Sequence, residues 1–236
     1  QLQQQCQETM PWAVLAMGKS NYACGRGPED PLIALFGKMT AEDCDTYGGC
    51  TQGVCDYKAM LRRAAITPQV IMNYAYALRI LQSQYLGGEE NPFRRGLLIA
   101  DEGDLIEDAV VGASGLTLWQ GPCKEAGLPE WPTTMTDSPY TWIAWATDAA
   151  QASQQWLLEK QQQVSIGAYE RNLDLSELVK VQASAHKAKA LHQTLGRMRR
   201  LNPGDWAVSL TDKSVTLRPL WAWTVTEQDL WRYFGH

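Results

Sequence analysis

No apolar run in this chain approaches the roughly 20 residues needed to cross a bilayer. The nearest stretch, Trp142 to Ala152, is interrupted by Thr147, Asp148 and Gln151. That argues against an integral membrane protein. Phe and His occur three times each. No C-x-x-C is present, which removes a thioredoxin-type redox pair and c-type haem. The phosphate-cradling loops G-x-x-x-x-G-K-[ST] and G-x-G-x-x-G are absent, and Gly25-Arg26-Gly27 is too short to stand for either. The metalloprotease H-E-x-x-H and the hydrolase elbow G-x-S-x-G are missing as well. Nor is there an excess of positive charge. Lys and Arg total 21 against 26 Asp and Glu, for a net charge of −5. A protein that coats nucleic acid needs the opposite balance, so nucleic acid is not the expected partner, although a local basic patch is compatible with these totals.

What is present is a globular composition. The chain has 236 residues, 45% of them hydrophobic and 20% charged, enough to bury a sizeable core. Ten Trp stand against three Phe. Trp brings a wide apolar body and one N–H that needs an acceptor, so broad ridges packed between helices are expected. The rival readings are sugar stacking and a partner surface.

Six cysteines, Cys6, Cys24, Cys44, Cys50, Cys55 and Cys123, make an even set, five of them in the first quarter of the chain. The reading is a disulfide framework whose connectivity sequence alone leaves open. Its location is a glycine-rich region of weak periodicity, where covalent ties are most needed. Free thiols are one alternative and zinc is the other, with thiolates from Cys44, Cys50 and Cys55. The spacings exceed those usual for structural zinc, and the histidines His186, His192 and His236 are distant. Disulfides point to a periplasmic or extracellular location. The segment Gln1 to Gln7 is polar and has no apolar core, so an export leader is taken to have been removed.

Along the chain, residues 1–18 can form a helix. Pro31 opens a helix behind Asp30. Thr40-x-x-Asp43 resembles a capping box. From Thr67, the residues Val70, Ile71, Tyr74, Leu78, Leu81 and Tyr85 recur at helical spacing up to Gly87-Gly88. Asp104 to Val111 reads as helix and Gly115 to Trp119 as β-capable. Gly121 to Asp137 reads as a proline-rich loop that Cys123 ties down. Ser138-Pro139 opens a long helix with the seam Trp142, Ala146, Ala149, Ser153, Trp156. A second long helix, capped by Ser176 or Asp174, runs to about Leu201 with the stripe Leu178, Val181, Ala185, Ala188, Leu191. Two such helices on a short link predict an antiparallel hairpin. Beyond Asn202-Pro203-Gly204 the period falls to two and predicts a β-hairpin, with Pro219 marking an edge or bulge. Thr226-x-x-Asp229 opens a closing helix.

The expected fold is therefore mainly α within the α+β class: a disulfide-tied N-terminal helical region (1–132), a long antiparallel helical hairpin (133–202), and a C-terminal β-hairpin with closing helix (203–236). The three are separate segments or parts of one domain.

Candidate chemistry is sparse. Asp101-Glu102-Gly103-Asp104 with Glu107 and Asp108 is the densest acidic cluster. It lacks the order of a calcium loop, and acids at a helix start explain it. His186 and His192, six apart, fall on different helix faces, so they make no two-ligand site and read as solvent-facing or packed. Catalytic residues, metal ligands and a cofactor are therefore not assigned. The candidate interaction residues are Trp142, Trp156, Lys187, Arg197, Arg199, Arg200, Trp221, Trp223 and Trp231. The second long helix is strongly basic, which suits its C-terminal dipole or a docking face for an acidic partner, an anionic membrane surface or nucleic acid. The leading expectation is a non-enzymatic structural or interaction subunit of an extracytoplasmic assembly, with other protein subunits as partners. One alternative is a glycan-cleaving hydrolase that pairs two carboxylates among Glu89, Glu90 and Asp101, since such pairs stand about 5–9.5 Å apart across a sugar groove. The other is a zinc-containing nucleic-acid-associated protein.

Overall fold

The computed structural model describes residues 10, 12–27, 29–36, 39–46, 55–81, 106–169 and 174–222. The chain divides into two units, residues 1–113 with 222–236, and residues 114–221. Helix and strand are mixed, as in the α+β class.

In the first unit, strand β1 (Val14–Ala16) pairs in parallel with β2 (Val70–Met72), Val14 opposite Val70 and Ala16 opposite Met72. Both strands overturn helical expectations. Residues 14–16 fall within the stretch 1–18 that can form a helix by sequence, of which residues 1–9 and 11 lie outside the described set. The helix expected from Thr67 begins only at Tyr74. Thr67 instead closes the preceding helix, its amide and hydroxyl both donating to the Arg63 carbonyl. The true start is Asn73, whose Oδ1 accepts from the Tyr76 amide at 2.8 Å. The β-branched Val70 and Ile71 lie before that cap, where their stiff side chains suit an extended chain.

Among the described residues of this unit, four α-helices precede residue 82: α1 (Pro31–Phe36), α2 (Ala41–Thr46), α3 (Asp56–Ile66) and α4 (Tyr74–Leu81). Asp30 caps α1 by accepting from the Leu32 amide. The capping box of α2 is reciprocal: Thr40 N donates to Asp43 Oδ2 at 2.7 Å, and Asp43 N donates to Thr40 Oγ1. Helix α3 is missing from the sequence expectation. Its stripe Tyr57, Met60, Leu61, Ala64 packs against Val14, Ala16, Val70, Met72 and Tyr76. A fifth helix, α5 (Ile106–Ser114), buries Val110 with Leu78 and Ala222.

The second unit has one continuous core. Strands β3 (Leu116–Trp119), β4 (Trp206–Thr211) and β5 (Ser214–Pro219) form an antiparallel sheet in the order β3-β5-β4. The alternation along β3 is clean: Leu116 and Leu118 are buried, Thr117 and Trp119 exposed. Strand β5 is central, not an edge. Pro219 is its last residue, opposite Trp206 and past the stretch paired with β3, so its missing N–H interrupts no ladder between strands on both sides. Part of the loop expected over 121–137 is helical, α6 (Gln120–Glu125).

Two long helices, α7 (Pro139–Tyr169) and α8 (Leu175–Met198), share this core. Asp174 is the N-cap of α8, accepting from the amide and the hydroxyl of Ser176. The α7 seam is fully used: Trp142, Ala146, Ala149, Ser153 and Trp156 are all buried. On α8 the C-terminal half of the stripe holds, with Ala188, Leu191, Leu195 and Met198 buried. Nearer its start, Val179 is buried while Leu178, Val181 and Ala185 are only half-buried. The small residues at the middle of the seam let the two helices approach closely, and Leu116, Leu118, Val215 and Leu217 of the sheet complete the cluster.

Candidate functional site

The indoles account for much of the second unit's core. Trp131, Trp142 and Trp145 meet edge to face, with ring centroids 4.8, 5.4 and 6.1 Å apart. Their N–H groups are satisfied by the proline-rich segment after α6. Trp142 Nε1 donates to the Thr136 carbonyl at 2.7 Å, and Trp145 Nε1 to that of Glu130 at 2.9 Å. Each bond removes an otherwise buried donor and ties the loop to α7. Trp142 and Trp156 therefore turn their rings into the core of their own unit. The exposed indoles of this unit are Trp119, on the open face of β3, and Trp221, beyond the end of β5. Sequence reading passed over Trp119, although its place in a period-two strand was the available signal. Trp223 and Trp231 lie outside the described residues, as does the closing helix expected from Thr226.

The outer face of α8 is cationic. Lys180, Lys187, Lys189 and Arg197 are exposed along it, and Arg199 and Arg200 are exposed just past its end. Glu177 is the one acid within the helix. His186 is exposed, on this outer side. His192 is half-buried and meets Ser153 of α7, Nδ1 to Oγ 3.0 Å. A serine beside a histidine suggests a nucleophile, but the bonding argues against it. Ser153 Oγ donates its single proton to the Ala150 carbonyl at 2.7 Å. It therefore accepts from His192 Nδ1–H. The imidazole is not placed to take the hydroxyl proton, and the pair is a tie between helices.

In the first unit, three tyrosines converge. Tyr76 donates to the Tyr57 hydroxyl at 3.2 Å, the Met17 amide donates to the Tyr22 hydroxyl, and the Tyr22 and Tyr57 rings are 5.6 Å apart. Lys19 Nζ stands 5.6 Å from the centre of the Tyr57 ring. Burial, reinforced by Tyr57, pushes the Tyr76 phenol far up. Burial also raises Tyr22. Phenols held neutral in this way make a packing cluster with polar handles and offer no acid or base near neutrality.

The cysteines fall into different settings. Among the described residues no disulfide is formed: Cys24, Cys44, Cys55 and Cys123 are thiols. Cys24 and Cys44 nevertheless face each other, sulfur to sulfur 2.7 Å. Arg26 lies beside Cys44 and pairs through Nη1 with Asp30 Oδ2 at 2.8 Å. Burial and then the Cys24 sulfur push the Cys44 thiol up to about 11, against the pull of Arg26. The Leu32 amide, then Arg26, hold the Asp30 carboxyl below its usual range. Cys55 is buried at the head of α3. Cys123 is enclosed in the core of the second unit, where burial alone pushes its thiol up to about 12. Cys6 and Cys50 lie outside the described residues.

The same holds for Glu89, Glu90 and the acids from Asp101 to Asp104, while Glu107 and Asp108 are exposed in the first turn of α5. Among the described residues no group of three or more His, Cys, Asp or Glu side chains is placed to hold a metal ion. No described helix is long and apolar enough to cross a membrane. With the geometry in hand, comparison with known proteins adds no constraint. No family model matches the chain, and no curated protein matches it.

Proposed function

We propose that this chain is a non-enzymatic subunit of an extracytoplasmic protein assembly, periplasmic or secreted, which docks on an acidic protein surface through the outer face of α8. The observation that carries the reading is the exposed cation run Lys180, Lys187, Lys189, Arg197, Arg199, Arg200 with a single acid in the helix. The helix is held by a packed core, so its cations are presented on a firm support. Complementary charge of this kind steers encounter and sets register more than it adds affinity. The cation run exceeds what a helix C-terminal dipole asks for, because Lys180, Lys187 and Lys189 lie well before the last turn, where that dipole acts. The compartment is argued from the even set of six cysteines, five of them in the first unit, a usage that suits an oxidising environment.

The test is site-specific photo-cross-linking in the native cell, with the probe at Lys187 or Arg200, and at Gln154 on the exposed side of α7 as control. One discrete product from the two α8 positions, in the envelope or secreted fraction, is expected. With the probe at either position, the joint charge reversal K180E/K189E on the same face should reduce it at least tenfold. A chain confined to the cytoplasm, or equal labelling from all three positions, contradicts the reading.

A further inference from the structure

The main chain brings Cys24 and Cys44 together before their sulfurs are considered. Ala23 and Thr40 form an antiparallel bridge. The Cys24 amide donates to the Met39 carbonyl at 2.8 Å, and the Ala41 amide to that of Tyr22 at 2.9 Å. The capping box at Thr40 then starts α2 at once, and Cys44 follows one turn in, its amide on the Thr40 carbonyl. Cys44 is thereby turned toward the strand-like segment that carries Cys24, and the sulfurs stand 2.7 Å apart. Cys44 is 3% exposed, whereas Cys24 is partly open to solvent. Arg26, fixed by Asp30, sits against Cys44.

We infer that Cys24 and Cys44 are a thiol–disulfide pair, with Cys24 the entry thiol, Cys44 the resolving thiol and Arg26 the group that steadies the Cys44 thiolate. The oxidant is a disulfide, either a low-molecular-weight one such as glutathione disulfide or the active-site disulfide of a thiol oxidase. Cys24, the accessible member, attacks the donor disulfide as its thiolate. One donor sulfur leaves as thiolate and a mixed disulfide forms on Cys24. Cys44 then gives up its proton and its sulfur attacks Cys24 Sγ, expelling the second donor thiolate. Two S–H bonds are lost and one S–S bond is made within the chain. The donor's S–S bond is reduced, its two thiols carry the two protons, and two electrons pass from the pair to the donor. The guanidinium beside Cys44 offsets the cost of forming a thiolate in a buried position. Cys55, at the head of α3, and Cys123, in the second unit, stand outside this geometry.

The pairing is a property of the purified chain, so it stands or falls separately from the assembly reading. The test is to reduce the full chain, expose it to glutathione disulfide at neutral pH, alkylate, digest with trypsin and sequence the linked peptides by fragmentation. Cys24 lies on the peptide from Ser20 to Arg26. Cys44 shares the peptide from Met39 to Lys58 with Cys50 and Cys55, so fragmentation must place the bond. The expected result is a link between those peptides at Cys44. In C44S, Cys24 should instead accumulate as the glutathione adduct, because its resolving thiol is gone. Linkage of Cys24 to Cys6, Cys50 or Cys55, or a Cys24 and Cys44 that stay unlinked under excess oxidant, overturns the proposal. The fragment map is read on the native sequence and is independent of how any variant folds.

Discussion

The two units solve the same problem with different means. The second covers one face of a three-stranded sheet with two long helices, and its core runs unbroken from Leu116 to Trp156 and Met198. The first works with short pieces. Its strands β1 and β2 are three residues each, and its described helices run from 6 to 11 residues. Among its described residues two small hydrophobic clusters stand apart, one of them with tyrosine hydroxyls inside it, while Leu32, Met39, Ala41, Cys44 and Cys55 are buried outside both. Short elements leave many ends to cap and bury little apolar area each. The lesson is that continuous packing makes covalent ties unnecessary in one unit, while the other places a cysteine pair where its loop meets a helix. The lone described cysteine of the second unit, Cys123, serves there as a small core residue.

The sharpest way to break this contrast is W142A. Trp142 is fully buried and holds both the indole trio and the Thr136 carbonyl. Its loss should cost about 3–5 kcal/mol in denaturant unfolding, with the loss of amide protection confined to 114–221. Overpacking the seam with A149L comes next. Ala149 has no exposed surface, and about 1–3 kcal/mol is expected by the same measurement.

A pH series reads the enclosed thiol. The folded state holds Cys123 at about 12 against an ordinary value of 9.0. Below pH 9 folded and unfolded chains both carry the proton, so nothing changes. Between 9 and 12 the folded chain keeps a proton that the unfolded chain loses. Stability then falls as pH rises, by at most about 1.4 kcal/mol per pH unit. Unfolding midpoints from pH 8 to 11 should show that decline, shallower in C123A. The smallest effect expected is T40A in the first unit, about 1 kcal/mol from loss of the capping box, read as faster exchange of the Asp43 and Cys44 amides.

How far these features were legible in the sequence depends on their range. The caps at Asp30, Thr40 and Asp174 are local chemistry and stood in the residues themselves. So did the seam from Trp142 to Trp156, because a 3.6-residue repeat sustained over four turns has no competing reading. Val70 and Ile71 misled because their spacing to Tyr74 and Leu78 fits a helix as well as a strand. Only the partner strand 14–16 and the Asn73 cap decide it. The centrality of β5 was out of reach for a similar reason, since its second neighbour, β3, lies almost a hundred residues earlier. The meeting of Cys24 with Cys44 required the Ala23–Thr40 bridge, a pairing that composition and spacing do not encode. The cationic face of α8 was legible as a charge run, but its exposure needed the core stripe beneath it.

If packing holds the second unit and the proposed Cys24–Cys44 disulfide supports the first, reduction should loosen the first alone. Residue-resolved hydrogen exchange on the full chain, oxidised and then reduced, reads this. On reduction the amides of Cys24, Ala41 and Cys44 should exchange faster by tenfold or more, while those of Leu116 to Leu118 and Val215 to Leu217 keep their rates. Equal acceleration in both units, or none in either, would contradict it.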